Sequence, residues 1–478
     1  MLRSALVLAV AVSLGGFCAE AAAASDEYRI AREPPCRLKP HARRNLREIS
    51  EILGRIESRT WGKRPSVVLV TLDTVRADRL GPYGYAPART PTLDAFAAQA
   101  VIFDHAYSPS GSTTPSHASI FTGLGPVRHG VRDNGRFYLH EDRTTLAEIL
   151  RGRGYATAAF TSAYTVDHRF GFDQGFQVYQ DSFRNPGFNR RRSFRSVPLG
   201  EGRHFERTAD ETVLEALRWL RDVPASPALL WLHLFDAHEP YLPPCMYFEM
   251  PEEDYDQEIA YLDLLLGEFL QGLQLSGLWK TALIWIVGDH GQSLGQHGDC
   301  CHTGSVYDSV LRVPMLVRLP GRTQSRRVGA MVRTLDIVPT LLDLLRIPSE
   351  GSLDGRSIRA HLDGDAASGS DEDAILHASA VPGTAEHPGG GRQRYAVRAP
   401  DFKLIHVYQD SERVSEEAYD LAVDPREETP TTIPEDRYQA LRRELDTFVS
   451  RARTIDPSTV IPLDVEAWEK LRALGYVE

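Results

Sequence analysis

The chain is short of cysteine and of positive charge. It has five cysteines in 478 residues, and the paired Cys-x-x-Cys motifs of a structural zinc site are missing. Lys and Arg together number 54 against 65 for Asp and Glu, which gives a net charge of −11. Nucleic-acid binding depends on clustered Lys and Arg, so this balance disfavours nucleic acid as a partner. A small anionic substrate remains compatible with the composition if its pocket is locally positive.

Long apolar runs are also missing beyond the amino terminus, where none approaches the roughly 18 residues that a membrane-spanning helix requires. We therefore expect no integral membrane segment. The amino terminus itself has Arg3, an apolar run from Ala5 to Phe17 and small residues up to Ala24, the order of a secretory signal peptide. This order predicts cleavage after residues 1–24 and a periplasmic or secreted protein. Lipid attachment at Cys18 is disfavoured because bulky Phe17 precedes it.

Four cysteines remain after such cleavage, namely Cys36, Cys245, Cys300 and Cys301. An even number in an oxidising compartment allows one or two disulfides, and four cysteines allow three pairings. Pairing of the adjacent Cys300 and Cys301 is disfavoured by ring strain. The sequence leaves the choice among the other pairings open.

Apolar strand patterns alternate with amphipathic helix patterns through most of the chain. The predicted strands include SVVLVTLD, ATAAFTS, ALLWLHLFDAH, TALIWIVGDHG and VPMLVRLPG, and the predicted helices include TPTLDAFAAQAVIF, RTTLAEILRGRGY, ADETVLEALRWLRDV and DYDQEIAYLDLLLGEFLQGL. Such alternation predicts an α/β fold with a large mixed, mostly parallel sheet sandwiched by helices.

The pattern changes near residue 371, where the short strands AILHASA and YAVRAPDFKLIHVY are followed by a helix from Glu435 to Ile455. We therefore predict a lead segment over residues 25–64, a main α/β domain over 65–370 and a smaller α+β domain over 371–478.

Three predicted strands end in ionisable residues. Asp73 ends one, Asp236 and His238 end another, and Asp289 and His290 end a third. In open α/β sheets ligands bind beyond the carboxyl ends of the strands, so these side chains are expected to converge, although each alone also fits a turn or a helix cap. Asp73, Asp289 and His290 offer the oxygen and imidazole ligands that suit a divalent cation.

The segment SPSGSTTPSHASIFTG, residues 108–123, has the pattern of a helix start at Thr113. A helix amino terminus presents free N–H groups and a positive dipole end, which suits a tetrahedral oxyanion. A metal-activated Thr113 hydroxyl at this point can attack sulfur or phosphorus. The same residues also fit a simple helix cap. Arg128, His129 and Asn134 follow this helix as weaker candidates for the site.

Several segments together resemble the sulfatase family of the alkaline phosphatase superfamily. They are LVTLDTVRADRLGPYGY, TTPSHASIFTGLGPVRHGV, FDAHEPYLPP, GDHGQSLGQHG, HTGSVYDSVLRVPMLVRLPG and LRALGYVE. The resemblance implies an alkaline-phosphatase-like fold and one divalent metal, Ca²⁺, Mn²⁺ or Zn²⁺, at Asp73, Asp289, His290 and Thr113. It also implies attack by Thr113. His117, His238 and His302 fall where the family places basic residues that hold the ester oxygens or protonate the leaving group.

The chain departs from the family pattern at three positions. The family's Cys-x-P-S-R or Ser-x-P-S-R motif supplies a formylglycine, but here Thr113 and His117 occupy its first and last positions. Oxidation of a threonine gives a ketone, so no formylglycine is expected. The doubled aspartate at the first metal strand is here Asp73 followed by Thr74. An unmodified threonine resembles the phosphodiesterase and phosphotransferase branches of the superfamily.

These observations predict an exported, metal-dependent hydrolase of sulfuric or phosphoric esters, with phosphodiesters and phosphonate esters favoured over sulfate esters. The substrate is expected to be a small anionic ester, which a glycan or a lipid can carry. A second metal at Asp236, His238, His297 and His302 is disfavoured by their spacing. The alternatives are an inactive secreted binding protein on a sulfatase scaffold and a transferase.

Overall fold

The computed structural model describes residues 37–182, 206–224, 226–241, 243, 245–246, 254–299, 301–349, 351–364, 375–381, 392–453 and 460. The predicted signal peptide, Cys36 and Cys300 lie outside these residues. Among the described residues Cys301 forms no disulfide, and its thiol donates to Oε2 of Glu239 at 3.5 Å. No helix in the described ranges is long and apolar enough to cross a membrane.

The strands are β1 (Arg37–Leu38), β2 (Ser66–Leu72), β3 (Val101–Tyr107), β4 (Ala156–Phe160), β5 (Val178–Gln180), β6 (Ala228–Leu234), β7 (Cys245–Met246), β8 (Ala282–Gly288), β9 (Arg312–Val313), β10 (Met315–Arg318), β11 (Arg326–Arg333), β12 (Leu376–Ala380), β13 (Gln393–Arg398), β14 (Phe402–Gln409) and β15 (Glu412–Asp420). The α-helices are α1 (Pro40–Leu53), α2 (Pro91–Ala97), α3 (Thr113–Thr122), α4 (Pro126–His129), α5 (Leu146–Arg151), α6 (Ala209–Asp222), α7 (Asp254–Leu275), α8 (Asp308–Leu311), α9 (Ile337–Leu344), α10 (Arg359–Asp363) and α11 (Glu435–Ala452).

The main sheet has nine strands in the order β11-β3-β10-β8-β2-β6-β4-β5, with β9 paired to β3. β10 runs antiparallel to both of its neighbours, whereas β8, β2, β6, β4 and β5 run parallel to one another. The predicted mixed, mostly parallel sheet is therefore confirmed. A two-stranded antiparallel pair, β1 with β7, places Leu38 opposite Cys245.

The central strand β2 is buried along its whole length because both faces of the sheet are covered. Val68 and Val70 face a core that includes side chains of α1, α6 and α7. Val67 and Leu69 face a second core that includes side chains of α3, α5 and α9. This double burial explains why β2 reads as a continuous aliphatic run rather than an alternating one.

The carboxyl-terminal part forms a four-stranded antiparallel sheet in the order β12-β13-β14-β15, with α11 packed against it. Two details differ from the sequence predictions. The single strand expected over YAVRAPDFKLIHVY is the hairpin β13–β14, because Ala399 N–H bonds back to the Phe402 carbonyl across a turn at Pro400. The helix expected over TPTLDAFAAQAVIF ends at Ala97, and the β-branched Val101 and Ile102 begin β3 instead.

Candidate active site

The candidate site lies beyond the carboxyl ends of adjacent strands. β2 lies between β8 and β6, so Asp73 after β2 and Asp289 after β8 come side by side. Both carboxyl groups are fully buried. Asp236 after β6 is engaged at α6, where its Oδ2 accepts the Ala209 N–H at 2.8 Å. Through this contact Asp236 acts as a helix cap, which is the alternative role that the sequence allowed for each residue at a strand end.

The ligand atoms of Asp73, Asp289 and His290 lie within 4.8 Å of one another. His290 donates from Nδ1 to the Gly291 carbonyl at 2.9 Å, which leaves its Nε2 lone pair for the cluster. Both carboxylate oxygens of Asp73 and Oδ2 of Asp289 are buried without a hydrogen-bond partner among the described residues. Buried oxygens without donors are costly unless a cation meets them, so this donor set fits a divalent metal ion.

The electrostatics of the cluster favour the same conclusion. Burial, followed by repulsion from Asp289, raises the pKa of Asp73 well above its ordinary value, and burial raises the pKa of Asp289 to about 8. Burial lowers the pKa of His290 well below its ordinary value. In the described part of the chain, no lysine or arginine pairs with any of these three groups. The site is therefore short of positive charge.

Thr113 is the first residue of α3 and is fully buried. Its Oγ1 lies 3.2 Å from Nε2 of His290, which places the hydroxyl directly beside the metal-binding candidates. At the same helix end, the Thr114 N–H donates to Oδ1 of Asn134 at 2.8 Å. Nδ2 of Asn134 is buried and has no partner among the described residues. An orphaned amide donor and a helix amino terminus thus lie together at the predicted nucleophile.

His117 lies one turn further along α3, fully buried under Thr113. Its Nδ1 donates to the Thr113 carbonyl at 2.9 Å, and its Nε2 lies 3.1 Å from Oγ1 of Thr71. Burial lowers the pKa of His117 to about 4, so the ring is neutral at pH 7. Both ring nitrogens are thus held by protein atoms, and the position where the family has a permanent cation carries none.

Sequence reasoning missed His233 and Thr71, which lie side by side on β6 and β2. Nδ1 of His233 is 3.1 Å from Oγ1 of Thr71, and Nε2 is 3.6 Å from Oδ2 of Asp73. Nε1–H of Trp231 donates to the same Thr71 hydroxyl at 2.9 Å. Each residue is a polar side chain in an otherwise apolar, fully buried strand, and this is the sequence feature that could have indicated them. The register that pairs the two strands is set by the sheet and cannot be predicted from either strand alone.

His238 and His302 lie against each other beside the metal-binding candidates. Their Nε2 atoms are 3.1 Å apart, and each ring donates from Nδ1 to a carbonyl at 2.6 Å, His238 to Glu239 and His302 to Gly111. The His302 ring stacks on His290 with centroids 4.4 Å apart. The structure therefore brings His238, His302 and His290 together. His297 lies elsewhere and stacks on Tyr307 at 3.7 Å.

Thr74 occupies the position of the missing second aspartate. Its backbone is in the left-handed region, with φ 57°, which is strained for a β-branched residue. Its N–H donates to Oδ1 of Asp289 at 3.2 Å, and its hydroxyl donates to the Asp73 carbonyl at 2.7 Å. Thr74 therefore orients the metal-binding candidates through its backbone while its hydroxyl is used locally.

Comparison with known proteins identifies the family of the chain. Residues 65–347 match the Sulfatase family, and residues 296–454 match the family described as N-sulphoglucosamine sulphohydrolase, C-terminal. An ulvan-active sulfatase of Formosa agariphila is 25% identical over 63% of this chain and 66% of its own length. An arylsulfatase of Clostridium perfringens is 23% identical over 77% of this chain and 90% of its own length.

Two solved structures share the fold. One is a protein in complex with its substrate D-glucosamine-2-N,6-O-disulfate, with a TM-score of 0.66 and 20% identity over 83% of this chain and 99% of that chain. Another is a phosphonate monoester hydrolase of Agrobacterium radiobacter, with a TM-score of 0.61 and 20% identity over 84% of this chain and 100% of that chain. Because the Sulfatase match covers more than half of the sequence, the chain belongs to the sulfatase family of hydrolases.

Proposed function

We propose that this protein is an exported, metal-dependent hydrolase of sulfuric or phosphoric esters in which unmodified Thr113 is the nucleophile. Phosphodiesters and phosphonate monoesters are the favoured substrates. The observation that carries the proposal is the position of the Thr113 hydroxyl, buried at the amino terminus of α3 and 3.2 Å from His290. A hydroxyl held at a helix amino terminus beside the unpartnered oxygens of Asp73 and Oδ2 of Asp289 has the surroundings of a nucleophile rather than of a cap.

Asp73, Asp289, His290 and Thr113 are the residues that would hold one divalent cation, Ca²⁺, Mn²⁺ or Zn²⁺. Such a cation supplies Lewis-acid chemistry, lowering the pKa of a bound hydroxyl and offsetting charge on the ester oxygens. His117 supports the site by fixing the Thr113 carbonyl at 2.9 Å through its Nδ1–H group.

In the first step, Oγ1 of Thr113 loses its proton to solvent and forms a bond to phosphorus while the bond from phosphorus to the alcohol oxygen breaks. The leaving oxygen takes up the proton that Nε2 of His238 and Nε2 of His302 share across 3.1 Å. Their Nδ1–H groups are fixed on carbonyls, so Nε2 is the atom that faces the reaction. Nδ2 of Asn134 and the positive dipole end of α3 stabilise the oxygens that remain on phosphorus.

Water then cleaves the ester formed on Thr113. The water oxygen bonds to phosphorus, the bond from phosphorus to Oγ1 breaks, and a water proton returns to the pair of His238 and His302. A formylglycine hydrate can expel sulfate by returning to the aldehyde, but a threonine has no such route. Phosphoryl transfer tolerates hydrolysis of a covalent threonine ester, which is why the residue at position 113 favours phosphorus over sulfur.

Charge favours a singly charged ester. With two carboxylates and a divalent cation, the metal cluster is neutral overall, and no lysine or arginine in the described ranges pairs with its members. A dianionic phosphate monoester would need further positive charge in a buried site, whereas a phosphodiester or a phosphonate monoester carries one negative charge. The ester can be part of a glycan or a lipid.

The proposal includes export, which rests on the order of basic, apolar and small residues over positions 1–24. It also includes the division into a catalytic domain over residues 65–370 and a smaller domain over 371–478. The mass of the mature protein recovered from the periplasm or the medium checks export. A mature chain that begins after Ala24 supports it, and a full-length chain in the cytoplasm contradicts it.

The test of the reaction is turnover of p-nitrophenyl sulfate, p-nitrophenyl phosphate, bis(p-nitrophenyl) phosphate and p-nitrophenyl phenylphosphonate with Mn²⁺, Ca²⁺ or Zn²⁺. We expect turnover of the last two substrates, its loss in Thr113→Ala and its partial retention in the matched variant Thr113→Ser. Equal activity of Thr113→Ala and the unchanged protein would exclude Thr113 as the nucleophile. Turnover of the sulfate alone would instead assign the protein to sulfate esters.

A further inference from the structure

The carboxyl-terminal sheet touches two loops of the active site. On β12, the Ser379 N–H donates to the carbonyl of Pro109, in the loop that leads to Thr113, at 3.2 Å. On β13, the Arg394 guanidinium donates to the carbonyl of Gly304 and to Oδ1 of Asp299, the latter at 3.3 Å. The two contacts start from neighbouring positions of the sheet. Arg394 on β13 pairs with Ala380 on β12, and Ala380 directly follows Ser379.

These two loops are joined to each other by His302. Its Nδ1 donates to the Gly111 carbonyl at 2.6 Å, and the Ser305 N–H closes a turn back to the His302 carbonyl at 3.2 Å. Pro109 lies two residues before Gly111, and Gly304 lies two residues after His302. The sheet therefore holds the chain on both sides of the hydrogen bond that orients the His302 ring.

Arg394 is well placed for this task. Its side chain is 13% exposed and lies over the ring of Tyr307, whose hydroxyl donates to Oε2 of Glu417 at 2.7 Å. The planar guanidinium reaches a carbonyl and a carboxylate at once, which a lysine ammonium on a flexible stem does less well. Gly304 is in the left-handed region, with φ 85°, so the direction of its carbonyl depends on a turn that a side chain would strain.

We propose that Arg394, a residue of the smaller carboxyl-terminal sheet, is a positioning residue for His302. It holds the turn after His302 so that Nδ1 stays on the Gly111 carbonyl and Nε2 faces the leaving group. The kinetic part of this inference rests on the proposed function, in which His302 shares protonation of the leaving alcohol with His238.

The kinetic test compares esters of one phosphonate with leaving groups of rising basicity, from p-nitrophenol to phenol to a primary alcohol. Protonation of the leaving group contributes little for p-nitrophenol and more for a basic alcohol. We expect Arg394→Met to lower kcat about tenfold for the alcohol, with little change for p-nitrophenol and an unchanged KM, since a positioned acid supplies about 10²–10⁴ of rate. Arg394→Lys is expected to recover part of the loss.

A double-mutant cycle with His302→Ala tests whether Arg394 acts through His302. If it does, Arg394→Met has almost no further effect once His302 is alanine. Arg413→Met is the matched control, because Arg413 lies on the same sheet but pairs with Glu416 at 3.0 Å. If the losses in kcat from the two substitutions multiply in the double variant, or if kcat falls equally for every leaving group, the inference is overturned and Arg394 has a purely structural role.

A measurement without substrate separates this inference from the proposed reaction. In protein labelled with ¹⁵N-histidine, long-range proton–nitrogen spectra report which ring nitrogen of His302 carries the proton, with assignment from His302→Ala. We expect Nδ1 protonation in the unchanged protein and a mixture of tautomers in Arg394→Met. Absence of turnover for every ester would contradict the proposed function. An unchanged His302 signal in a folded Arg394→Met protein would overturn the positioning role, whether or not any ester is turned over.

Discussion

The hydroxyl of Thr113 donates its proton to Nε2 of His290, at an oxygen–nitrogen distance of 3.2 Å. The direction of this bond is fixed because Nδ1 of His290 already donates to the Gly291 carbonyl. Nε2 of His290 and Oγ1 of Thr113, two of the atoms proposed to hold the cation, therefore face each other. A bound cation would replace this hydrogen bond by engaging the Nε2 lone pair and the hydroxyl oxygen.

Asp73→Asn is expected to weaken metal binding while stabilising the metal-free protein. The substitution removes one of two buried carboxylates that repel each other, and it removes the one whose two oxygens both lack donors among the described residues. We expect at least a tenfold weaker metal Kd by chelator competition, and a free energy of unfolding in EDTA that rises by about 1–2 kcal/mol.

The control for this prediction is Asp354→Asn, whose carboxylate is partly exposed and pairs with Arg128 at 2.7 Å. It should change neither quantity appreciably, because exposed ion pairs contribute little. A lower stability of metal-free Asp73→Asn would contradict the view that the two carboxylates repel each other in the folded protein.

Gly111→Ala is expected to reduce kcat by disturbing His302. A Cβ at position 111 would lie 2.5 Å from Cγ1 of Val310 and 3.0 Å from the His302 and Ser305 carbonyls, so the two loops must move apart. Steady-state kinetics should give a loss of about tenfold or more, in line with the cost of misplacing a catalytic group. Gly329→Ala is the matched control, since a Cβ there meets nothing within 4 Å. Equal kinetics of the two variants would contradict the close packing of these loops.

Asp263 is expected to make stability depend on pH. Burial raises its pKa from 3.8 to about 7, although its oxygens accept the N–H groups of Thr92 and Leu93 at the start of α2. Between these values the folded protein binds one more proton than the unfolded chain, so this group's contribution to stability falls as the pH rises towards about 7 and is level above it.

Urea unfolding of the unchanged protein and of Asp263→Asn at pH 5 and pH 8 measures this contribution. Between pH 5 and the folded pKa of about 7, the free energy of unfolding of the unchanged protein should fall by about 2–3 kcal/mol through this group. Asp263→Asn lacks this loss, so relative to the unchanged protein it should be about 2–3 kcal/mol more stable at pH 8 than at pH 5. A difference between the two proteins that is the same at both pH values would show that Asp263 is ionised in the folded state throughout.

Site residues that directly follow a strand could be predicted from the sequence. Contacts between residues far apart in the chain could not. Asp73 and Asp289 could be placed together because parallel strands present their carboxyl ends at one edge of a sheet. His302 was named through the family resemblance alone. The pairing of Thr71 with His233, and the reach of Arg394 to Gly304, depend on register and on packing between two sheets. No local pattern encodes these contacts.

The attachment of the carboxyl-terminal sheet to the loops at Pro109 and Gly304 gives the site an order of assembly. A ribosome completes Asp73, Thr113 and Asp289 long before it reaches Ser379 and Arg394. The contacts of Ser379 and Arg394 with the two loops can form only after the part of the chain that carries the metal-binding candidates is complete. The orientation of His302 is therefore the last feature of the site to be set.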